Sequence, residues 1–245
     1  MGTKTRSDRE REHFDGLADE LGSVWWGSVT KAGQLRIDER GALATRYAQL
    51  TPGKRVLEPG AGNGEFTLRL ARSGADILGV EISPKQVDLA SNRLAQLPNV
   101  SFKEGDVNAL PFADCSFDAV VGNAVLHHFE LSPALSEFYR VLKPGGHFFF
   151  TEPNMLNPQI AIEKNIKFVG RRLQNSPDET AFFRWQIARI LKRHGFREVW
   201  VKPFDFLHPG APDNWIPAVR WLSNTLNQLP LIREIGGSLQ IYGRR

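Results

Sequence analysis

One stretch constrains this chain more than any other: Arg55-Val56-Leu57-Glu58-Pro59-Gly60-Ala61-Gly62-Asn63-Gly64-Glu65-Phe66. It reads as a short apolar strand, a glycine turn and the start of a helix. Glycine lets the backbone turn sharply and approach a ligand closely. In an open parallel sheet such a turn sits at the carboxyl end of the first strand, where ligands bind. The glycines stand at 60, 62 and 64, a GxGxG spacing. The dinucleotide fingerprint GxGxxG needs its third glycine where Glu65 stands.

The surrounding pattern predicts an α/β fold. Apolar, β-branched or aromatic runs occur at 54–58, 77–82, 99–104, 117–122 and 146–151, with helical stretches at about 64–73, 84–96 and 132–142. Short strands alternating with helices imply a parallel sheet with helices on both faces. Ser83-Pro84 and Ser132-Pro133 are helix-start signals, and Lys143-Pro144-Gly145-Gly146 reads as a turn. After Glu152 the alternation stops. Residues 153–180 read as an insertion, followed by a helix over 179–194, a strand near 196–202 and a closing strand, Ser238 to Gly243. Residues 1–12 read as a frayed, charged tail, and 13–50 as two helices ahead of the main fold. The expected organisation is one domain over 1–245: an N-terminal helical segment (1–50), a ligand-binding core (51–152), and a substrate-side insertion with C-terminal strands (153–245).

Composition removes several classes. Cys115 is the single cysteine, which excludes a disulfide scaffold, and 22 glycines without a triplet period exclude collagen. No run approaches the roughly 20 apolar residues of a bilayer span, and the charged N-terminus has no signal-peptide core, so the expected compartment is the cytoplasm. The net charge of +4 permits an anionic partner without demanding one.

Acids at three consecutive strand ends narrow the ligand. Glu58 precedes the first glycine, where a carboxylate repels a pyrophosphate and suits an ammonium or sulfonium group. Glu81, in Gly79-Val80-Glu81-Ile82-Ser83, stands about 20 residues further on, the place of a carboxylate that holds ribose hydroxyls. Asp106, in Glu104-Gly105-Asp106-Val107, is placed to accept from an exocyclic amine. Each acid alone also suits a helix cap or a solvated face. With the glycine loop they predict a nucleoside site.

Four motifs in order, EPGAGNG (58–64), VEIS (80–83), EGDVNALPFADCSFDAVVGNAVLHHF (104–129) and RVLKPGGHFFFTEPN (140–154), resemble class I S-adenosylmethionine-dependent methyltransferases of the small-molecule branch. The resemblance covers about residues 54–152. It implies a Rossmann-like, seven-stranded, mostly parallel sheet whose last strand is antiparallel; the residues themselves add an insertion after the fifth strand and N-terminal helices that form either a lid over the cofactor or an amphipathic pair packed on the sheet with solvated arginines. The resemblance implies S-adenosyl-L-methionine as cofactor. Glu58, Gly60, Ala61, Gly62 and Asn123 would line its methionine end, Glu81 its ribose hydroxyls, Ile82 and Val107 its adenine, and Asp106 the adenine amine. Pro59 departs from the commoner small residue, yet an X-Pro pair favours the extended backbone a strand needs. Trp25, Trp26 and Thr30 are lid candidates, and Arg36 or Arg40 is placed to pair with the methionine carboxylate.

The reaction implied is methyl transfer by in-line displacement to an O, N or C atom of a small acceptor, in which the protein chiefly aligns the reactants. A hydroxyl acceptor needs a base. The candidates are His128, His127 and Glu152, all at the predicted active edge. His127-His128-Phe129-Glu130 lacks a ligand set of known metal spacing, so no metal is expected. Phe182, Phe183, Trp185, Phe204, Phe206, Trp215 and Trp221 either belong to the core or wall a pocket for an apolar, aromatic or lipid-linked acceptor. The stretch 160–169, with Lys164, Lys167, Arg171 and Arg172 nearby, is a candidate for peripheral membrane contact. Three alternatives remain. A nucleic-acid or protein methyltransferase is disfavoured because Gly122-Asn123-Ala124-Val125 lacks the Asn/Asp-Pro-Pro-aromatic motif. An NAD-dependent oxidoreductase is disfavoured by the loop spacing and Glu58. A protein of this fold that binds cofactor without turnover is excluded by no residue.

Overall fold

The computed structural model describes residues 4–21, 29–165 and 180–245. Seven strands form one sheet in the order β3-β2-β1-β4-β5-β7-β6. They are β1 (Arg55–Pro59), β2 (Asp76–Glu81), β3 (Val100–Glu104), β4 (Phe117–Asn123), β5 (Leu142–Pro153), β6 (Arg197–Phe204) and β7 (Ser238–Arg244). All neighbours from β3 to β5 pair in parallel, and β7 runs antiparallel to both β5 and β6, as the resemblance implied. The described helices are α1 (Arg6–Leu21), α2 (Lys31–Tyr47), α3 (Thr67–Ala71), α4 (Pro84–Arg93), α5 (Leu131–Val141), α6 (Pro158–Asn165), α7 (Arg184–Arg193) and α8 (Ile216–Leu226).

Period-two alternation explains why the sheet is covered on both sides. Val56, Ala119, Val121 and Phe149 bury one face beneath Ile37 and Ala44 of α2 and Leu70 of α3. Their neighbours Leu57, Val120, Phe148 and Phe150 bury the other face beneath Leu135 and Phe138 of α5 and Ile187 and Leu191 of α7. A strand buried on both faces reads as a continuous apolar run, which is why β5 contains Phe148-Phe149-Phe150.

Three sequence expectations change. Residues 6–12 belong to α1 rather than to a frayed tail, because Arg6, Ser7 and Glu10 find partners on the sheet edge. α5 begins at Leu131, so Ser132-Pro133 falls inside its first turn, where backbone N–H groups need no helical partner. Lys143-Pro144-Gly145-Gly146 lies within β5 instead of preceding it, since Leu142 already pairs with Phe117. The Ser83-Pro84 signal starts α4 as read, with the Ser83 hydroxyl accepting from Gln86 N at 3.2 Å.

Candidate active site

The strand order reverses between β1 and β4, and a crevice opens there at the carboxyl ends of the strands. Its walls include Glu58, Gly60, Ala61, Gly62, Glu81, Ile82, Asp106, Val107, Asn123 and His128. The structure therefore brings all nine residues expected to bind cofactor to one cleft. Of the three candidate bases, His128 lines the cleft, whereas His127 and Glu152 are not among its lining residues.

The three glycines of the loop do different work. Gly60 has φ +67°, and a Cβ on it would lie 2.1 Å from Val125 Cγ2, so this glycine lets the β1 loop pack against the β4 loop. At Gly64, a Cβ would press on Ala90, Leu94 and Phe102 at 3.1–3.3 Å, so it sets close helix–strand packing. Gly62 has φ +51°, but nothing lies within 4 Å of a Cβ built there. That position faces open space, and its backbone is available for close approach by a ligand. Gly60 N and Ala61 N donate to Val80 O at 2.7 and 3.2 Å, which anchors the loop to β2.

Two buried carboxyl groups give the cleft its charge preference. Glu58 is 2% exposed, and its Oε2 has no hydrogen-bond partner. Burial pushes its carboxyl up to about 8, against the pull of the Thr67 hydroxyl and with help from the charge on Glu81. Burial also raises Glu81, opposed by backbone N–H groups. Its Oε2 accepts from Gly62 N and its Oε1 from Ser83 N, each at 3.0 Å. Each carboxylate oxygen has a second lone pair, so Glu81 retains capacity for hydroxyl donors. An orphaned buried acid beside a second one favours a cationic ligand. These features fit an adenosyl sulfonium compound: an orphaned buried acid at Glu58, a bare backbone at Gly62, and acceptors at Glu81 and Asp106.

The turn after β4 is clamped from β5. Ala124 N donates to Thr151 O at 2.7 Å, and the Thr151 hydroxyl donates to Asn123 Oδ1 at 2.6 Å. Glu152 Oε1 accepts from both Val125 N and Leu126 N at 2.8 Å, while Oε2 meets His127 Nδ1 at 2.6 Å. These contacts hold Ala124 at φ +52° and present Asn123, Val125 and His128 to the cleft. Glu152 and His127 thus support the wall instead of facing a reactant.

Other expectations fall away from the site. Arg36 and Arg40 do not reach it: Arg36 Nε and Arg40 Nη2 donate to Asp205 Oδ2 at 2.8 and 2.7 Å, and Arg40 also reaches Ser238 Oγ at 2.8 Å. Although burial opposes ionisation, the two guanidinium groups hold the Asp205 carboxyl below its usual range. Thr30 caps α2 by accepting from Gly33 N at 2.9 Å and donates to Pro209 O. Trp25 and Trp26 lie outside the described residues, as do Lys167, Arg171 and Arg172. None of the expected aromatic wall lines the cleft. Phe182 and Phe204 are core residues, while Trp185, Trp215 and Trp221 are exposed. The aromatic lining comes from Phe14, Phe66 and Phe129.

α1 is the part of the site that sequence reading missed. Arg6, Ser7, Glu10 and Phe14 all line the cleft. Arg6 Nη2 donates to His127 O at 2.6 Å, and Asp15 Oδ1 accepts from Ser83 Oγ at 2.5 Å. The signal in the sequence was a helical phase, with Ser7, Glu10, Phe14 and Leu17 recurring on one face. It was obscured because most of that face is polar. No group of three or more potential metal ligands occurs among the described residues, and no described helix is long and apolar enough to cross a membrane.

The fold and cleft define a class: open α/β proteins that bind an adenosyl ligand at the switch point. The methyltransferase domain family matches residues 57–150. A demethylmenaquinone methyltransferase of Chlorobaculum parvum is 30% identical over 175 residues, covering 62% of this chain and 69% of that protein. An uncharacterised methyltransferase-like protein of Schizosaccharomyces pombe is 33% identical over 152 residues, covering 62% of this chain. The match spans 57% of the yeast protein, little more than half its length. Among solved structures, the [4+2]-cyclase SpnF shares the fold with a TM-score of 0.71 at 21% identity, over 100% of this chain and 98% of that one. The chain belongs to the S-adenosylmethionine-dependent methyltransferases of class I fold.

Proposed function

We propose that the protein methylates a small apolar or aromatic acceptor, with His128 as the base that receives the acceptor's proton. The observation that carries this reading is the convergence of Glu58, Gly62, Glu81, Asp106 and His128 on one cleft. Bound S-adenosylmethionine supplies a methyl group on a sulfonium. Glu58, protonated in the ligand-free protein, would ionise beside the cationic methionine end, Glu81 would accept from the ribose, and Asp106 would accept from the adenine amine. Gly62 admits the ligand against its backbone, and Asn123 with Val125 fixes the near wall. Phe14 and Phe129 exclude water and favour an apolar ring. His128 is the imidazole among the lining residues.

The relatives named demethylmenaquinone methyltransferases make a demethylated naphthoquinol the first acceptor to try. The SpnF neighbour is named a cyclase, so this fold does not by itself establish methyl transfer. The test has two stages. Thermal unfolding is measured with S-adenosylmethionine, S-adenosylhomocysteine and NAD, on wild type and Glu81→Ala. At about 100 times Kd a ligand adds about 2.7 kcal/mol, roughly 5–10 °C for a chain this size. Both adenosyl ligands are expected to shift wild type only, and NAD neither protein. A shift with NAD alone refutes the cofactor assignment. Transfer of labelled methyl to a naphthoquinol, lost in His128→Ala, is the expected second result. Full turnover by His128→Ala removes His128 from the mechanism.

A further inference from the structure

Glu10 is buried, 5% exposed, although it belongs to a helix whose sequence is mostly charged. Its Oε2 lies 3.1 Å from His128 Nδ1, across 118 residues of sequence. Burying a carboxylate is costly unless it is paired and hydrogen-bonded. The partner here is an imidazole in the wall of the cleft. Phe14, one turn further along α1, meets the His128 ring edge-on at 5.2 Å between centroids. Behind His128, the His127 ring packs at 4.2 Å and is itself held by Glu152. Among the described residues, the charged or titratable groups that contact His128 or His127, or share the nearby cleft wall, include Glu10 and Arg6 from α1, Glu130 from its own segment, Glu152 from β5 and Asp106 after β3.

We infer that Glu10 is a positioning residue that pairs with His128 to form a carboxylate–imidazole base, and that the acceptor presents an ionisable hydroxyl. This rests on the methyltransferase reading above and deepens it. With Nδ1–H directed at Glu10, the lone pair is on Nε2, and the ring orientation is set by α1. A carboxylate there also stabilises the imidazolium that forms when the ring takes a proton. In the step assigned to the pair, the acceptor O–H bond breaks, its electron pair stays on oxygen, and the proton forms an N–H bond at Nε2. Glu10 remains ionised throughout. A neutral amine already carries its nucleophilic lone pair and has no need of such a base before transfer, so the pair selects for phenolic or enolic acceptors.

The test uses the full chain, with Glu10→Gln, Glu10→Ala and His128→Ala. The first measurement needs no acceptor: imidazole nitrogen NMR of His128, with S-adenosylhomocysteine affinity as a control for folding. Wild type is expected to show the Nδ1–H tautomer and Glu10→Ala to lose it, while both remain folded and still bind S-adenosylhomocysteine. The second is turnover of a naphthoquinol. Glu10→Gln keeps an acceptor atom but loses the charge, and is expected to lower kcat about 10- to 100-fold with KM within about twofold. Glu10→Ala combined with His128→Ala is expected to be no slower than His128→Ala alone, because the two residues act as a unit. An unchanged tautomer in Glu10→Ala overturns the pairing, and an unchanged kcat in Glu10→Gln overturns its role. Absence of turnover by wild type counts against the acceptor class, and leaves the tautomer result to judge the pairing separately.

Discussion

Ser7 Oγ donates to Asp106 Oδ2 at 2.7 Å, joining residues 99 positions apart. Asp106 also accepts from Asn108 N at 2.9 Å. The acid assigned to the adenine amine is thus already engaged by α1, and the helix lies across the cleft that the ligand must share. Removing residues 1–21 should speed release of S-adenosylhomocysteine at least tenfold in stopped-flow measurements, because Arg6, Ser7, Glu10 and Phe14 would no longer close the cleft. An unchanged release rate would show that α1 is only a packing element.

Glu58 makes the stability of the ligand-free protein fall with rising pH. Its carboxyl is raised to about 8 by burial, so the native state holds a proton that the unfolded chain releases near the ordinary glutamate value. Stability from this group is present below about pH 4.5 and is lost as pH rises towards 8. Glu58→Gln should flatten that slope in urea titrations between pH 5 and 8. It should also weaken S-adenosylmethionine, whose positive charge compensates the ionised acid. An identical slope in the variant would place the proton elsewhere.

Gly60→Ala and Gly62→Ala should separate two roles. Alanine at 60 forces a 2.1 Å contact with Val125 on top of a positive φ, so the loss of stability should exceed the roughly 1–2 kcal/mol of left-handed strain. Alanine at 62 meets nothing within 4 Å and should cost about that strain alone. Its methyl group would occupy ligand space, so S-adenosylhomocysteine affinity should drop far more than stability. Calorimetry of both variants, with and without ligand, reads this out. Equal stability losses would contradict the distinction.

Asp205→Ala should destabilise the fold by about 3–5 kcal/mol, since it leaves Arg40 buried without its carboxylate. Burial already lowers the Arg40 guanidinium to about 10. The cluster ties α2 to the segments after β6 and into β7, away from the cleft lining. Ligand affinity per folded molecule should therefore be unchanged. A selective loss of affinity would instead restore Arg36 or Arg40 to the binding site.

Local rules made the strand–helix alternation, the parallel core and the place of the cleft legible in the sequence, whereas the antiparallel last strand came from the family resemblance. Short continuous apolar runs mark β1, β4 and β5, Ser83-Pro84 starts α4, and a glycine turn with an acid at each of three strand ends marks the switch point. What tertiary structure alone decided is which side chains meet across long sequence separations. Arg40 finds Asp205 rather than a ligand, Glu152 holds a turn rather than a reactant, and Glu10 finds His128. No periodicity encodes those pairs. A buried charge takes whichever partner the packed elements bring within about 3 Å, and only the folded arrangement of α1, α2 and the sheet edge sets that distance.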